Sequence, residues 1–368
     1  MELVKAKRDD LLAPLASVSG IIERRHTLPI LSNVLIERAE DGLTFLATDI
    51  EIQISARTSL GASGEMRAVT VGARKLLDIL RALPEGAETT LALQDKRMQL
   101  KAGRSRFSLQ TLPAEDFPRL AKPAGEIARF ALPQKALHRL LGLVQYSMAQ
   151  QDIRYYLNGL LMVVEDKQLK LVATDGHRLA YASLALAAEV PRQEVIIPRK
   201  TVLELSRLLG DSDADVQVEV SATQAGFVFG AIELVSKLVD GKFPDYTRVI
   251  PKEHKNRLQI DREALRQALQ RAAILSNEKF RGVRWVLTDN NLKIVSSNAE
   301  QEEAVEELEV QYSGDALDIG FNVTYLLDVL NNVSGSTVEA SFGDAASSTL
   351  ISVPGEKDFK YVVMPMRI

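Results

Sequence analysis

KLVATDGHRLAY, Lys170–Tyr181, reads as a strand, a tight turn on Asp175–Gly176 and the start of a second strand. Asp-Gly between alternating apolar residues is a strong hairpin signal, because both positions of a two-residue turn need φ > 0. The stretch has two relatives in the same chain. LTFLATDIEI (Leu43–Ile52) precedes it and LKIVSSNAEQE (Leu292–Glu302) follows it, so that Asp49, Asp175 and Asn298 stand 126 and 123 residues apart. A near-constant step of this size marks an internal repeat.

The repeat extends in both directions. Upstream of each copy lie a short strand, a segment of helical period and an apolar strand. The expected helices are Asp10–Ile22, Pro133–Met148 and Asp261–Leu275. Leu137, Leu140, Leu141, Val144 and Met148 form one helix face, and Leu265, Ala268, Leu269 and Ala272 repeat it. In the first copy Leu11, Leu15, Val18 and Ile22 do the same, with Pro14 acceptable in a first turn if Asp10 is the cap. The strands that follow begin at Asn33, Asn158 and Gly282. Downstream, helices are expected over 73–83, 198–209 and 321–333, each followed by two β-rich runs. The chain is therefore read as three copies of one α+β unit with local, antiparallel hairpin connections: 1–124, 125–252 and 253–368. Linkers are expected at 121–126 and 251–256.

Composition narrows the class. The 368 residues are 46% hydrophobic and 26% charged, ordinary values for a globular protein. No apolar run approaches the ~20 residues of a membrane span, and the N-terminus lacks the apolar core of a signal peptide. Cysteine is absent, which excludes disulfides and thiolate metal sites and fits a reducing cytoplasm. His26, His138, His177 and His254 do not have metal-ligand spacing, so no metal or cofactor is expected.

The net charge of −4 is unevenly spread: the three copies carry +2, 0 and −6 in chain order. A basic front and an acidic back suit a head-to-tail interface between two copies of the chain. The candidate contacts are Arg104, Arg106, Phe107 and Leu109 at one end, and Glu300, Glu302, Glu303, Glu306 and Glu307 at the other. Cations also recur at equivalent helix positions. Arg262 and Arg266 share one face, as do Lys135 and Arg139; Arg24 and Arg25 end the first helix; Arg74, Lys75, Arg199 and Lys200 open later ones. Such faces can track phosphates without reading bases.

With these motifs assembled, the sequence resembles the bacterial DNA polymerase III beta subunit family, the β sliding clamps, over its whole length. The resemblance rests on TLPIL (Thr27–Leu31), GRSRFSL (Gly103–Leu109), DIRYYLNG (Asp152–Gly159) and ATDGHRLA (Ala173–Ala180). It continues through SKLVDGKFPDY (Ser236–Tyr246), AILSNEKFRGVR (Ala273–Arg284), NAEQEEA (Asn298–Ala304) and YVVMPMRI (Tyr361–Ile368). It implies three tandem copies of the DNA-clamp fold, with inner helices and outer antiparallel sheets, in a homodimeric head-to-tail ring around duplex DNA. It also implies a non-catalytic processivity factor, without metal or cofactor, that tethers the DNA polymerase III catalytic subunit, the clamp loader, other polymerases and repair proteins by short peptide motifs.

The resemblance further implies site residues. For the partner-peptide pocket, the second copy matches at Leu157, Thr174, Gly176, His177, Arg178 and Leu179, and the following segment at Pro244, Arg248 and Val249. The third copy matches at Asn322, Tyr325 and Ser348, and the C-terminal strand at Val362, Val363, Met364, Pro365, Met366 and Arg367. Flexible Met and branched side chains suit a slot for apolar peptide anchors, with the cations at its rim. For DNA the matches are Arg25, Arg74, Gln151, Tyr155, Tyr156, Arg199 and Lys200; alternation makes at least one of the two tyrosines a core residue. For the dimer, Ile274 and Leu275 join the charged and apolar contacts above. His26 departs from the family, which often has Pro before Thr-Leu-Pro.

Two rivals remain on the residues alone. Asp175 and His177 could act as a catalytic pair on one hairpin face. Yet no G-x-S-x-G, phosphate-binding loop or carboxylate cluster accompanies them, and the other copies carry different residues there. The second rival is a structural ring without DNA, against which only the basic helix faces speak.

Overall fold

The computed structural model describes residues 2–23, 27–39, 42–60, 67–121, 123, 125–252 and 254–367. Its α-helices are α1 (Arg8–Val18), α2 (Ala73–Ala82), α3 (Gln134–Val144), α4 (Arg199–Leu208), α5 (Arg262–Ile274) and α6 (Val323–Asn332). All six fall where helical period was read. The Asp261 carboxylate caps α5 by accepting from Ala264 N at 2.8 Å, and Asn322 caps α6 from Thr324 N at 2.9 Å. Leu265, Ala268, Leu269 and Ala272 of α5 are buried, as are Val323, Leu326, Val329 and Leu330 of α6, and the two helices pack together. Burying each Leu or Val contributes about 1.5–3 kcal/mol before the entropy of ordering it.

The start of α1 departs from the sequence reading. The helix begins at Arg8 rather than after an Asp10 cap, so Asp9 and Asp10 lie in its first turn, where they complement the helix dipole. Pro14 is therefore interior and withholds the N–H that the Asp10 carbonyl would accept. Leu11, Pro14, Leu15 and Val18 are all buried, and that burial carries the helix past the missing bond.

A second difference concerns the β-rich runs after α2, α4 and α6. Each is a three-stranded meander, not two strands: Glu88–Gln94, Arg97–Ala102 and Ser105–Leu112 in the first copy, for example. The extra turns sit at Asp95 and Gly103, both with φ > 0, in hairpins too short to break the apolar pattern.

The chain divides into two compact units, Met1–Ala136 with Leu203–Leu238, and Leu137–Val202 with Val239–Ile368. The first holds a twelve-stranded antiparallel sheet, the second a seven-stranded and a four-stranded sheet. This division cuts the middle copy because sheets continue from one copy into the next. In the first unit Ile232–Lys237 pairs with Ile52–Ser59, Leu234 opposite Ile54. In the second, Glu356–Val363 pairs with Arg178–Pro198.

Of the sheet edges left open among the described residues, two lie in the charged segments. Ser105–Leu112 meets Arg67–Gly72 only at its last residues, leaving 105–110 without a strand on that side. Glu303–Glu309 ends the four-stranded sheet. No helix among the described residues is long and apolar enough to cross a membrane.

Candidate functional site

The stretch around Asp175 is a turn, but of another kind than the two-residue hairpin expected. Strand pairing closes at Thr174 opposite Leu179, and of the residues between them only Gly176 has positive φ, at 90°. Asp175 Oδ1 accepts from His177 N and Arg178 N at 2.9 and 3.1 Å, and Thr174 Oγ1 accepts from Gly176 N at 3.1 Å. The first copy repeats this geometry. Asp49 Oδ1 accepts from Glu51 N at 3.0 Å and Ile52 N at 2.8 Å, with Ile50 at φ 71° in place of glycine. In the third copy Asn298 Oδ1 accepts from Glu300 N and Glu302 N at 3.1 and 2.9 Å. What repeats is the side-chain acceptor, an Asx-type turn. The Asp175 carboxylate is thus bonded to backbone and to Arg178, not poised as a base for His177.

The turn forms one end of a cavity of about 190 Å³. Leu157, Thr174, Gly176, Arg178 and Leu179 line it, with Pro244 and Val249 from the following segment and Val362 and Met364 from the C-terminal strand. Leu157, Leu179, Phe243 and Val362 belong to one buried apolar cluster beneath it. Met364 is 41% exposed at the mouth, and its N–H donates to the His177 carbonyl at 2.9 Å.

Four lining residues escaped the sequence reading: Arg154, Tyr156, Phe243 and Tyr246. The aromatic pair in KFPDY carried the signal, since Phe and Tyr flanking a Pro turn bury readily. Arg154 Nε and Nη2 donate to the Asp152 carboxylate at 3.0 and 2.8 Å, and Nη2 also donates to the Asp175 carbonyl at 3.1 Å. Those guanidinium bonds hold the Asp152 carboxyl down at about 2.

Other expected pocket residues lie elsewhere. His177 is exposed; Arg248 is mostly exposed and pairs with Asp245 at 2.9 Å; Val363 is fully buried. Asn322 caps α6, Tyr325 stacks on Arg178, and Ser348 is half-buried. Beyond Pro365 the tail departs from the cavity: Met366 N donates to Gly320 O at 2.9 Å, and Met366 and Arg367 line a separate cavity with Phe280 and Arg284.

Of the expected DNA contacts, Arg25 lies outside the described residues. Arg74 is exposed in the first turn of α2, while Arg199 and Lys200 open α4 half-buried, Arg199 donating to the Met148 carbonyl at 3.2 Å. Gln151, at φ 56°, and Tyr155 are exposed, whereas Tyr156 packs on the pocket cluster. The basic helix faces are less open than their sequence implies. Lys135 pairs with Asp213 at 2.6 Å, Arg139 with Glu356 at 3.1 Å and Arg266 with Glu263 at 2.5 Å. Arg262 donates to the Gly335 and Leu330 carbonyls, both at 2.8 Å. Ion pairs this close to solvent contribute little net stability, so phosphate can compete for these cations.

The charged interface candidates sit on or beside two open edges. Arg104 and Arg106 are exposed and Phe107 and Leu109 half-buried on or beside Ser105–Leu112. Glu300, Glu302 and Glu303 are exposed at or beside the start of Glu303–Glu309. At the end of α5 Ile274 is 77% exposed and Leu275 half-buried.

Family models of the DNA polymerase III beta subunit match in succession: the N-terminal domain over residues 2–121, the central domain over 131–245 and the C-terminal domain over 247–367. The beta sliding clamp of Salmonella typhimurium is 49% identical and that of Escherichia coli K12 48%, each over 98% of this chain and 99% of the relative. The chain belongs to the bacterial β sliding clamps. The fold agrees: the crystal structure of the DNA polymerase III beta subunit from Pseudomonas aeruginosa superposes with a TM-score of 0.95 at 45% identity over the whole of both chains. A sliding clamp from the same organism bound to griselimycin gives 0.96 at 45% identity, over 99% of each chain. As a β clamp the chain is a non-catalytic processivity factor of the DNA polymerase III holoenzyme, built of three clamp domains. The enzyme reading of Asp175 and His177 falls, and their turn is a wall of the cavity.

Proposed function

We propose that the cavity bounded by Leu179, Pro244, Val249, Val362 and Met364 is where this clamp takes short peptides from the polymerase, the clamp loader and repair proteins. The observation that carries the reading is an apolar cavity with a flexible Met at its mouth and cations beside it, in a chain whose relatives include a griselimycin-bound clamp. Of the other residues the resemblance implied, Tyr325 stacks on the lining Arg178 and Val363 is buried in the strand that carries Val362.

Two copies of the chain meet head to tail, the basic edge at Arg104, Arg106, Phe107 and Leu109 against the acidic edge at Glu300, Glu302 and Glu303, with Ile274 and Leu275 adding apolar area. The open strand edges and their opposite charges support this. The closed ring encircles duplex DNA, and Arg74, Gln151, Tyr155, Arg199 and Lys200 are its candidate contacts, which would track phosphates without reading sequence; Arg25, also expected there, lies outside the described residues, and Tyr156 belongs to the cavity instead. The domains run 1–124, 125–252 and 253–368, and the protein works in the cytoplasm.

Retention on plasmid after loading tests the whole reading. Retention on circles that disappears on linearisation means topological encirclement; equal retention on both means direct site binding and overturns it. Griselimycin titration by calorimetry tests the cavity, with Met364→Asp expected to abolish binding.

A further inference from the structure

Arg178 does not reach out from the cavity wall as a rim cation would. Its side chain is only 9% exposed, and all three guanidinium nitrogens are engaged. Nε donates to Asp175 Oδ2 at 3.1 Å, Nη1 to Asp328 Oδ2 at 2.5 Å and Nη2 to the Tyr146 carbonyl at 2.6 Å. Its Cζ lies 4.4 Å from the centre of the Tyr325 ring. The fully buried Tyr361, on the strand that supplies Val362 and leads into Met364, donates its hydroxyl to the Tyr325 carbonyl at 2.9 Å.

The partners come from different elements. Asp175 belongs to the same turn as Arg178, and Tyr146 follows α3. Asp328 sits 150 residues along the chain, within α6. Its side chain is 31% exposed, and α6 is anchored by Val323, Leu326, Val329 and Leu330 instead. The helix does not need this carboxylate to fold. We infer that Asp328 is the positioning residue of the peptide cavity, holding Arg178 against α6 so that the guanidinium stays out of the space a peptide side chain enters. The inference rests on reading the cavity as the partner-peptide site.

The physical argument is one of room and charge. A cavity of about 190 Å³ has little space to spare, and Arg178 lines it. Without Asp328 the guanidinium keeps Asp175, the Tyr146 carbonyl and the Tyr325 ring but loses its one charged partner on α6, while its long stem offers many rotamers. With that partner gone the guanidinium samples the solvated mouth of the slot as well as its present seat, and each peptide must then displace it. The cost appears in affinity rather than in the fold. A neutral amide would still accept a hydrogen bond, but it lacks the charge that makes the Arg–carboxylate contact strong.

The test uses full-length protein and griselimycin as probe, with dissociation constants by calorimetry and melting midpoints alongside. Asp328→Asn is expected to bind roughly tenfold more weakly with little change in midpoint, and Asp328→Glu to recover most of the affinity. The double variant Asp328→Asn/Arg178→Lys is expected to bind no more weakly than Arg178→Lys alone, because the carboxylate acts only through the guanidinium. Unchanged affinity in Asp328→Asn, or losses that add in the double variant, overturns the inference. A wild-type protein that does not bind griselimycin overturns the cavity reading itself, an outcome visible before any variant is made.

Discussion

Leu179 lies opposite Val362 in the antiparallel register that joins the second copy's hairpin to the chain's last strand. Both side chains are at most 2% exposed, and both line the cavity. One residue pair therefore serves the fold and the site together. Leu179→Ala should cost about 2–5 kcal/mol of stability, as a truncated core Leu does, and should also enlarge the cavity. Urea unfolding with a lowered midpoint, together with weaker griselimycin binding, is the expected result. A stability loss with unchanged binding would separate the join from the pocket.

Gly176 is required by its backbone conformation. Its φ is 90°, and a Cβ there would stand 2.9 Å from Arg154 Nη1. Gly176→Ala should lose about 1–3 kcal/mol and push Arg154 off Asp152. The first copy offers the opposite experiment. Ile50 holds a φ of 71° with a branched Cβ while 40% exposed, so Ile50→Gly should be neutral or stabilising by about 1 kcal/mol. Melting midpoints that move in opposite directions for these two substitutions are expected; two losses would mean that Ile50 is held by packing.

The repeat could be read from the sequence because its carriers are local: apolar period along helices, a turn acceptor and a near-constant spacing. Asp49, Asp175 and Asn298 announce the turn whatever the neighbouring glycine count. The six helices followed for the same reason. The cavity was only partly legible. Leu179 and Val362 are 183 residues apart, and nothing in their local pattern says that they pair. Arg154 and Tyr156 were hidden by their place in a polar loop, Tyr156 being read as a DNA contact. Ion pairs such as Arg139 with Glu356 were invisible too, since charge counts record how many cations exist and not which carboxylate each meets.

Acid should expose the Arg154–Asp152 contact. The Asp152 carboxyl sits at about 2, below the ordinary range of an aspartate, because it accepts hydrogen bonds from the Arg154 side chain and backbone. A lowered folded-state pKa contributes stability that is complete above about 4 and is lost as pH falls towards 2. Asp152→Asn should therefore flatten the stability curve in that window, measured by urea midpoints across pH. Glu263, also held at about 2 by Arg266, keeps its own share of the slope in that variant. An identical slope in both proteins would mean that the Arg154 contact adds nothing to folding.

Arg106 tests the assembly. It is exposed beside an edge with no strand partner among the described residues, while the opposite open edge carries Glu303, Glu307 and Glu309. Arg106→Glu puts like charges face to face and should weaken self-association roughly tenfold or more, with a larger effect at low salt. Light scattering at falling protein concentration should then show monomer where the wild type remains dimeric. The hairpin itself loses nothing, because Arg106 pairs through its backbone with Lys101 and its side chain faces solvent. A mass unchanged at every concentration would assign the dimer to some other face and leave the charge asymmetry between the copies unexplained.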